Sequence, residues 1–199
     1  MHRLTRRLAV IVSVVLLVVG TAAGASAATF LHFGYHKVRT GLPTGIGHFT
    51  LTSTDLRAGR PIPAQFWGCA DAGISPQLSW SGAPAGTQSY AVTLFDPDAP
   101  TGSGFWHWVA WDLPAGTTSL PTAATLPAGA VSGPNDGGGT GYTGPCPPTG
   151  DITHHYVFTV VALGVPSLGL AANTPPPVVG YVVGQNALAS ATFTATARQ

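Results

Sequence analysis

Short stretches of alternating apolar and polar residues recur along most of the chain. HFTLTS at 48–53 alternates as a half-buried strand does, and HHYVFTVVALG at 154–164 is long, β-branched and aromatic. The other predicted strands are LSW at 78–80, SYAVTLFD at 89–96, FWHWVAWDLP at 105–114 and TFTAT at 192–196. Gly or Pro lies between them, as expected for turns. The pattern predicts an all-β-dominated domain, an antiparallel β-sandwich with one or two short helices.

Helical segments are weakly indicated. The prolines at 175–177 favour a helix start, whereas Gly180 and Gly184 weaken a helix there. Charged residues make up 8% of the 199, and the sequence contains no Glu, so few residues can form a solvated helix face. With 26 Gly and 18 Pro interleaved with apolar runs, the composition is typical of short strands joined by turns.

The N-terminus has the features of an export signal. Arg3, Arg6 and Arg7 precede the apolar run from Leu8 to Val19, and the small residues at 25–27 form a cleavage pattern. The alternative is an uncleaved membrane anchor, since residues 8–28 are uncharged and about 20 residues can span a bilayer. The predicted organisation is a signal peptide or anchor at 1–28, a spacer at 29–45 and one domain at 46–199. In either case the domain is secreted or extracytoplasmic.

The charge balance and the cysteines fit that location. Removal of the export segment leaves five basic residues against seven Asp, a net charge of −2. No basic stripe remains, so nucleic-acid binding is not expected. Cys69 and Cys146 are predicted to form a disulfide, which would stabilise the fold by about 4–5 kcal/mol on the chain-entropy model. The alternative is two separate buried thiols.

Ionisable residues cluster in four segments of this charge-poor chain. These are FDPDAP at 95–100, GFWHWVAWDLP at 104–114, the glycine-rich stretch at 133–150, and HHYVF at 154–158. Because alternate strand residues share a face, His154 and Tyr156 are predicted to point one way and His155 the other. On the second segment, His107 shares a face with Phe105, and Trp106 and Trp108 are predicted to lie together on the opposite, core side. His32 and His36 in the spacer have a metal-compatible spacing, but Gly34 argues against the helix that it requires.

Four motifs, in order, resemble the phosphatidylethanolamine-binding protein family, and most closely its bacterial Raf-kinase-inhibitor-like branch. They are GCADAGISPQLSWSGAP (68–84), DPDAP (96–100), FWHWVAWDLP (105–114) and GPCPPTG followed three residues later by HHYVFTVVAL (144–163). The resemblance covers residues 46–198 and implies a compact β-sandwich with a small pocket at one end. It implies a pocket for phosphate-type anions or phospholipid headgroups, built from Asp96, Asp98, His107, Pro148, His154 and Tyr156. Phe105 stands where the family has an aromatic residue.

The residue types suggest how such a pocket would bind an anion. His107 and His154 would donate N–H groups and Tyr156 an O–H group. Backbone amides of the glycine-rich run at 137–144, including Gly144, would approach the ligand closely. Asp96 and Asp98 would favour the charged imidazoles or meet the ammonium group of an ethanolamine head. Affinity for a phosphate ester is then expected to fall as the pH rises from about 5.5 to about 8.

Other functions remain alternatives. A hydrolase or lyase could use His107 or His154 as a base, although no activated nucleophile motif is present, so enzymatic activity is not the expectation. A metal site from Asp and His lacks the usual spacing, and no metal or cofactor is predicted. A secreted protease inhibitor acting through its surface is the third alternative. Kinase inhibition is not expected, because the Ala/Thr-rich tail lacks the C-terminal helix of eukaryotic relatives.

Overall fold

The computed structural model describes residues 41–199. The predictions for residues 1–28, for the spacer before residue 41, and for His32 and His36 therefore lie outside the described residues. The described chain forms one α-helix, α1 (Pro176–Asn186), one 3-10 turn (Ala64–Phe66) and nine strands. The strands are β1 (Gly47–His48), β2 (Thr50–Thr52), β3 (Leu78–Ser81), β4 (Ser89–Asp96), β5 (Phe105–Pro114), β6 (Ser119–Leu120), β7 (Val131–Ser132), β8 (His154–Leu163) and β9 (Ala187–Ala197).

The strands form two sheets, which confirms the predicted β-sandwich. The larger sheet has the order β1-β9-β8-β4-β5-β7 and the smaller one β2-β3-β6. Neighbouring strands are antiparallel, except that β1 runs parallel to β9. The prediction of one strand over 48–53 is wrong, because β1 joins the larger sheet and β2 the smaller one. Phe49 lies at this crossing and packs against the core between the sheets.

The larger sheet is covered on both faces. Leu94, Phe158 and Trp80 belong to the main core between the two sheets. On the opposite face, Val109 and Val161 belong to a second cluster beneath α1. This double burial explains why β4 and β8 are apolar along most of their length rather than strictly alternating.

The helix begins at the predicted prolines and contains both glycines that argued against it. Pro176 occupies a first-turn position, where a missing N–H costs no hydrogen bond. A Cβ added at Gly180 would lie 3.0 Å from the Trp106 ring, so the glycine allows α1 to pack closely on the sheet. Tertiary contact therefore outweighs the low helix propensity of glycine. Among residues 41–199, no helix has the length and apolarity needed to cross a bilayer.

Candidate functional site

A cavity of about 430 Å³ opens at the end of the larger sheet where β4 ends and β5 and β8 begin. Seven of the eight predicted ligand residues line it: Asp96, Phe105, His107, Gly144, Pro148, His154 and Tyr156. Four separate segments of the chain are thus brought together, as the resemblance implied. Whether these residues bind a ligand stays a prediction.

A β-bulge places His107 in this cavity. Leu94 of β4 pairs with Trp108, and Phe95 pairs with Trp106, so His107 has no partner on β4. The His107 and Phe105 rings lie 4.6 Å apart, which agrees with their predicted common face. The common face predicted for the two tryptophans is wrong. Trp108 is buried between the sheets, whereas Trp106 packs on the α1 side, because the extra residue shifts the alternation by one position.

His107 lies among aromatic rings and backbone carbonyls. Its Nδ1 is 3.0 Å from the carbonyl oxygen of Thr143, which can only accept, so Nδ1 carries a proton and donates. The other ring nitrogen, Nε2, makes no hydrogen bond to the described residues. Burial lowers the pKa of His107, and the charge of Asp96 and the carbonyls of Thr143 and Gly144 oppose this shift only in part. Asp96 thus favours the charged form of His107, as expected, but loss of hydration outweighs its attraction and the net shift of the pKa is downward.

His154 has the opposite environment. Its Nδ1 is 2.7 Å from Asp96 Oδ2 and its Nε2 is 3.2 Å from Asp151 Oδ2. Burial alone would lower its pKa, but the hydrogen bonds and charges of Asp96 and Asp151 raise the pKa above the ordinary value. Both nitrogens donate to carboxylates, so the predicted role of His154 as an N–H donor to an anion does not fit this geometry. It instead holds two buried carboxylates in place.

Tyr156 connects the two histidines. Its ring centroid lies 5.2 Å from that of His107 and 6.3 Å from that of His154. Burial, followed by the charge and hydrogen bond of Asp96, raises the pKa of Tyr156. The phenol therefore stays protonated at neutral pH and donates its O–H group to Asp96, so its predicted role as a donor to a ligand stays a prediction.

Asp98 is the predicted ligand residue that the structure leaves outside the cavity lining. Its Oδ2 accepts hydrogen bonds from the His155 backbone N–H at 2.8 Å and from His155 Nδ1 at 2.7 Å. Its own N–H donates to Asp96 Oδ1 at 2.9 Å. Asp98 thus fixes the start of β8 to the end of β4 and orients Asp96. His155 points away from the cavity, as the strand alternation predicted.

Asp151 is a site residue that the motifs did not reveal. It is buried and lies in the three-residue gap between the GPCPPTG and HHYVF segments. The available signal was a carboxylate three residues before a histidine in a chain with only seven acidic residues. The spacing alone does not show that both face inward, because residues 151–153 are not a regular strand or helix.

The glycines of the run at 137–144 allow close backbone packing around the cavity, and several of their amides already donate hydrogen bonds within the protein. The amide of Gly144 donates to the Ala72 carbonyl at 2.9 Å, and the amides of Gly138 and Gly141 donate to Asn135 and Gly133. A Cβ added at Gly144 would lie 2.6 Å from the Gly68 nitrogen, so two backbone segments meet there. The expectation that these amides face a ligand is wrong for these three glycines, because other carbonyls already accept their hydrogen bonds.

The predicted disulfide between Cys69 and Cys146 is confirmed. The two Cα atoms are 5.0 Å apart, and the bond links residues 77 positions apart. Cys146 lines the cavity, and the Gly68 amide beside Cys69 donates to the Pro145 carbonyl at 2.9 Å. The disulfide therefore ties together the two segments that form one wall of the cavity.

Carboxylates dominate the charge around this site. Among the described residues that line the cavity, none is Lys or Arg. Asp96 and Asp151 bracket one charged imidazole, and His107 is neutral near pH 7 because its pKa is lowered. Such a site favours a group that brings its own donor or positive charge over a bare dianion. Within residues 41–199, no three His, Cys, Asp or Glu side chains are grouped so as to hold a metal ion.

Comparisons with known proteins extend over most of the chain. A family model described as phosphatidylethanolamine-binding protein matches residues 52–198. The YbcL protein of Escherichia coli K12 is 44% identical over 156 residues, which cover 73% of this chain and 85% of YbcL. The YbhB protein of the same organism is 45% identical over 154 residues, covering 73% of this chain and 97% of YbhB.

Two further comparisons concern the fold and the location. The crystal structure of E. coli YbcL, described as a new member of the mammalian PEBP family, superposes with a TM-score of 0.74 at 40% identity. That alignment covers 77% of this chain and 99% of YbcL. The putative lipoprotein LppC of Mycobacterium tuberculosis is 42% identical over 136 residues, covering 68% of this chain and 63% of LppC.

Proposed function

Because the chain belongs to the phosphatidylethanolamine-binding protein family, in the bacterial branch of YbhB and YbcL, we propose that it is an exported binding protein. Its ligand is a small phosphate-containing headgroup held in the cavity at the end of the larger sheet. The observation that carries this proposal is the meeting of His107 and Tyr156 above the buried Asp96–His154 pair. Membership of the family supports a role in binding a small molecule.

The geometry suggests that some cavity residues contact the ligand and others hold the cavity in shape. The phenol of Tyr156 and the Nε2 atom of His107 form the polar contacts to the headgroup, and Asp96 and His154 hold the floor of the cavity. A neutral Nε2 accepts a hydrogen bond from a ligand N–H or O–H, whereas a protonated Nε2 donates to a phosphate oxygen. The surrounding carboxylates favour a zwitterionic head such as phosphoethanolamine, whose ammonium group compensates the excess of negative charge.

Calorimetric titration with glycerophosphoethanolamine tests the site directly. This probe is a phosphodiester, so its phosphate does not titrate near neutral pH, and any pH dependence there reports the protein. We expect affinity to rise as the pH falls below about 6.5, because a protonated His107 donates to the anion. His107→Gln should weaken binding by about 1.5–3 kcal/mol, roughly ten- to a hundredfold in Kd.

The matched control is His48→Gln, which changes an exposed histidine on β1 far from the cavity lining. It should bind like the wild type. Equal affinity of the wild type and His107→Gln at every pH would rule out the assigned contact. Binding by neither protein would rule out this headgroup as the ligand.

Export is the second part of the proposal. The Cys69–Cys146 disulfide favours an oxidising compartment, and the similarity to a putative lipoprotein points to an extracytoplasmic location. N-terminal sequencing of the protein from its own source should find either a new N-terminus near Ala28 or the intact apolar segment in the membrane fraction. Intact protein in the cytoplasmic fraction with a reduced Cys69 would contradict export.

A further inference from the structure

The chain contains one long stretch without charged side chains. Residues 156–197, a run of 42, contain no Asp, Glu, Lys, Arg or His, whereas the rest of the domain contains Asp, Arg and His. This run includes the loop after β8, α1 and β9. Much of β8 and β9 is buried, and Asp112 accepts hydrogen bonds from Ser167 and Leu168 in the loop after β8. The exposed uncharged surface of this run is therefore that of α1.

The outer surface of α1 is uncharged and mostly apolar, with Gln185 as the exposed polar residue of the helix. Tyr181 is 65% exposed and Val178 is 47% exposed, and both project from the helix together with the exposed Pro177. We call Pro177, Val178 and Tyr181 the α1 face. Tyr181 also lines a groove of about 510 Å³ with Phe95 and Trp106. Among the described residues that line this groove, the one charged side chain is that of Asp136, which accepts a hydrogen bond from the Trp106 backbone N–H.

The chain enters the domain on this same side. A Cβ added at Gly41, the first described residue, would lie 3.1 Å from the Gly180 carbonyl of α1. Residues 1–40 therefore join the domain beside the α1 face. They include the uncharged stretch of residues 8–28, followed by the first twelve residues of the spacer, 29–40, which can span at most about 40 Å.

We propose that the α1 face rests on the surface of a lipid bilayer. An apolar, uncharged surface with a projecting tyrosine suits the boundary between headgroups and acyl chains, where amphipathic aromatic rings are favoured. The absence of basic residues means that this contact does not depend on anionic lipids or on salt concentration. A bilayer is favoured over a protein partner because the uncharged stretch of residues 8–28 precedes the point where the chain joins the domain beside this face.

The proposal does not require ligand binding, but it has a consequence that rests on the proposed function. Thr101 and Phe105 line both the α1 groove and the headgroup cavity. A domain resting on its α1 face would therefore hold the mouth of the cavity near the level of the lipid headgroups. Membrane contact and headgroup binding are measured separately, so the failure of one is distinguishable from the failure of the other.

Fluorescence quenching in vesicles tests the contact with the full chain. Val178→Cys and Ile152→Cys provide matched labelling positions, since both side chains are 47% exposed but only Val178 lies on the α1 face. Each variant is labelled with bimane and reconstituted into phosphatidylcholine vesicles containing spin-labelled phosphatidylcholine. Masses of unreduced protein confirm that the Cys69–Cys146 bond is retained. We expect quenching of most of the fluorescence at position 178 and little at position 152, unchanged at high salt.

Adding Tyr181→Asp to the Val178→Cys variant should reduce the quenching to the level seen at 152. Should a labelled variant fail to fold, iodination of Tyr181 in the unmodified chain, mapped by mass spectrometry, gives the same information, and vesicles should protect it. Equal quenching at both positions, or no protection of Tyr181, would overturn the proposal. Protection without vesicles that increases with protein concentration would also overturn it, because a second copy of the chain would then cover the face.

Discussion

The two histidines of the cavity, His107 on β5 and His154 on β8, have contrasting surroundings. His154 is held between the carboxylates of Asp96 and Asp151, which raise its pKa. His107 is held by a backbone carbonyl between aromatic rings, and burial lowers its pKa. His154 is thus charged, with both ring nitrogens hydrogen-bonded to carboxylates. His107 is neutral, and only its Nδ1 is hydrogen-bonded to the described residues. The comparison shows that the partners of a histidine, rather than its place in a cavity, decide whether it is structural or free to bind.

The largest expected effect comes from removing the carboxylate that His154 and Asp98 share. Asp96→Ala leaves a buried imidazolium with one partner and should lower the free energy of unfolding by about 3–5 kcal/mol, measured in urea at pH 6. Asp96→Asn should cost less, because its amide oxygen can still accept from the Asp98 N–H. The exposed Asp71→Ala is the control and should cost about 1 kcal/mol or less. A loss for Asp96→Ala no greater than that of the control would refute the structural role of Asp96.

Asp151→Asn tests the contrast between the two histidines by removing one of the two carboxylate charges next to His154. A histidine with a raised pKa stabilises the fold fully below the unfolded value of about 6.5, and this stability is lost as the pH rises through the folded pKa. The variant should therefore lose about 1.5–3 kcal/mol at pH 6, with the difference from the wild type narrowing as the pH rises. Urea unfolding measured from about pH 6 upward tests this, because the pKa of His154 is raised above its unfolded value. A difference that grows with pH would contradict the assignment.

The smallest effect is expected for the ion pair outside the cavity. His155 lies 2.7 Å from Asp98, but its side chain is 55% exposed. His155→Ala should cost no more than about 1 kcal/mol, because solvent screens the pair and the backbone hydrogen bond to Asp98 remains. The measurement is the same urea titration. A loss comparable to that of Asp96→Ala would mean that burial does not distinguish the two pairs.

Much of the fold could be predicted because the signal was local. β4 and β5 have the predicted bounds, and β8 differs by one residue, since their apolar stretches end at Gly, Pro or Asp. The short strands β6 and β7 were not predicted, because two residues give no measurable alternation. The placement of seven of the eight ligand residues followed from a resemblance spread over four motifs. Asp98 was placed in the cavity and Asp151 was missed, because their partners are set by loop geometry rather than by strand alternation.

The sequence by itself determined the β-rich class, the apolar strands and the set of ionisable residues available for chemistry, because these follow from patterns within one segment. Only the tertiary structure decided what each ionisable group does. The bulge at His107 separates the two tryptophans, and the loop at 151–153 brings a second carboxylate to His154. The protonation of each histidine depends on burial and on charges contributed by distant segments, so the electrostatics of the cavity exist only once the sheet has assembled.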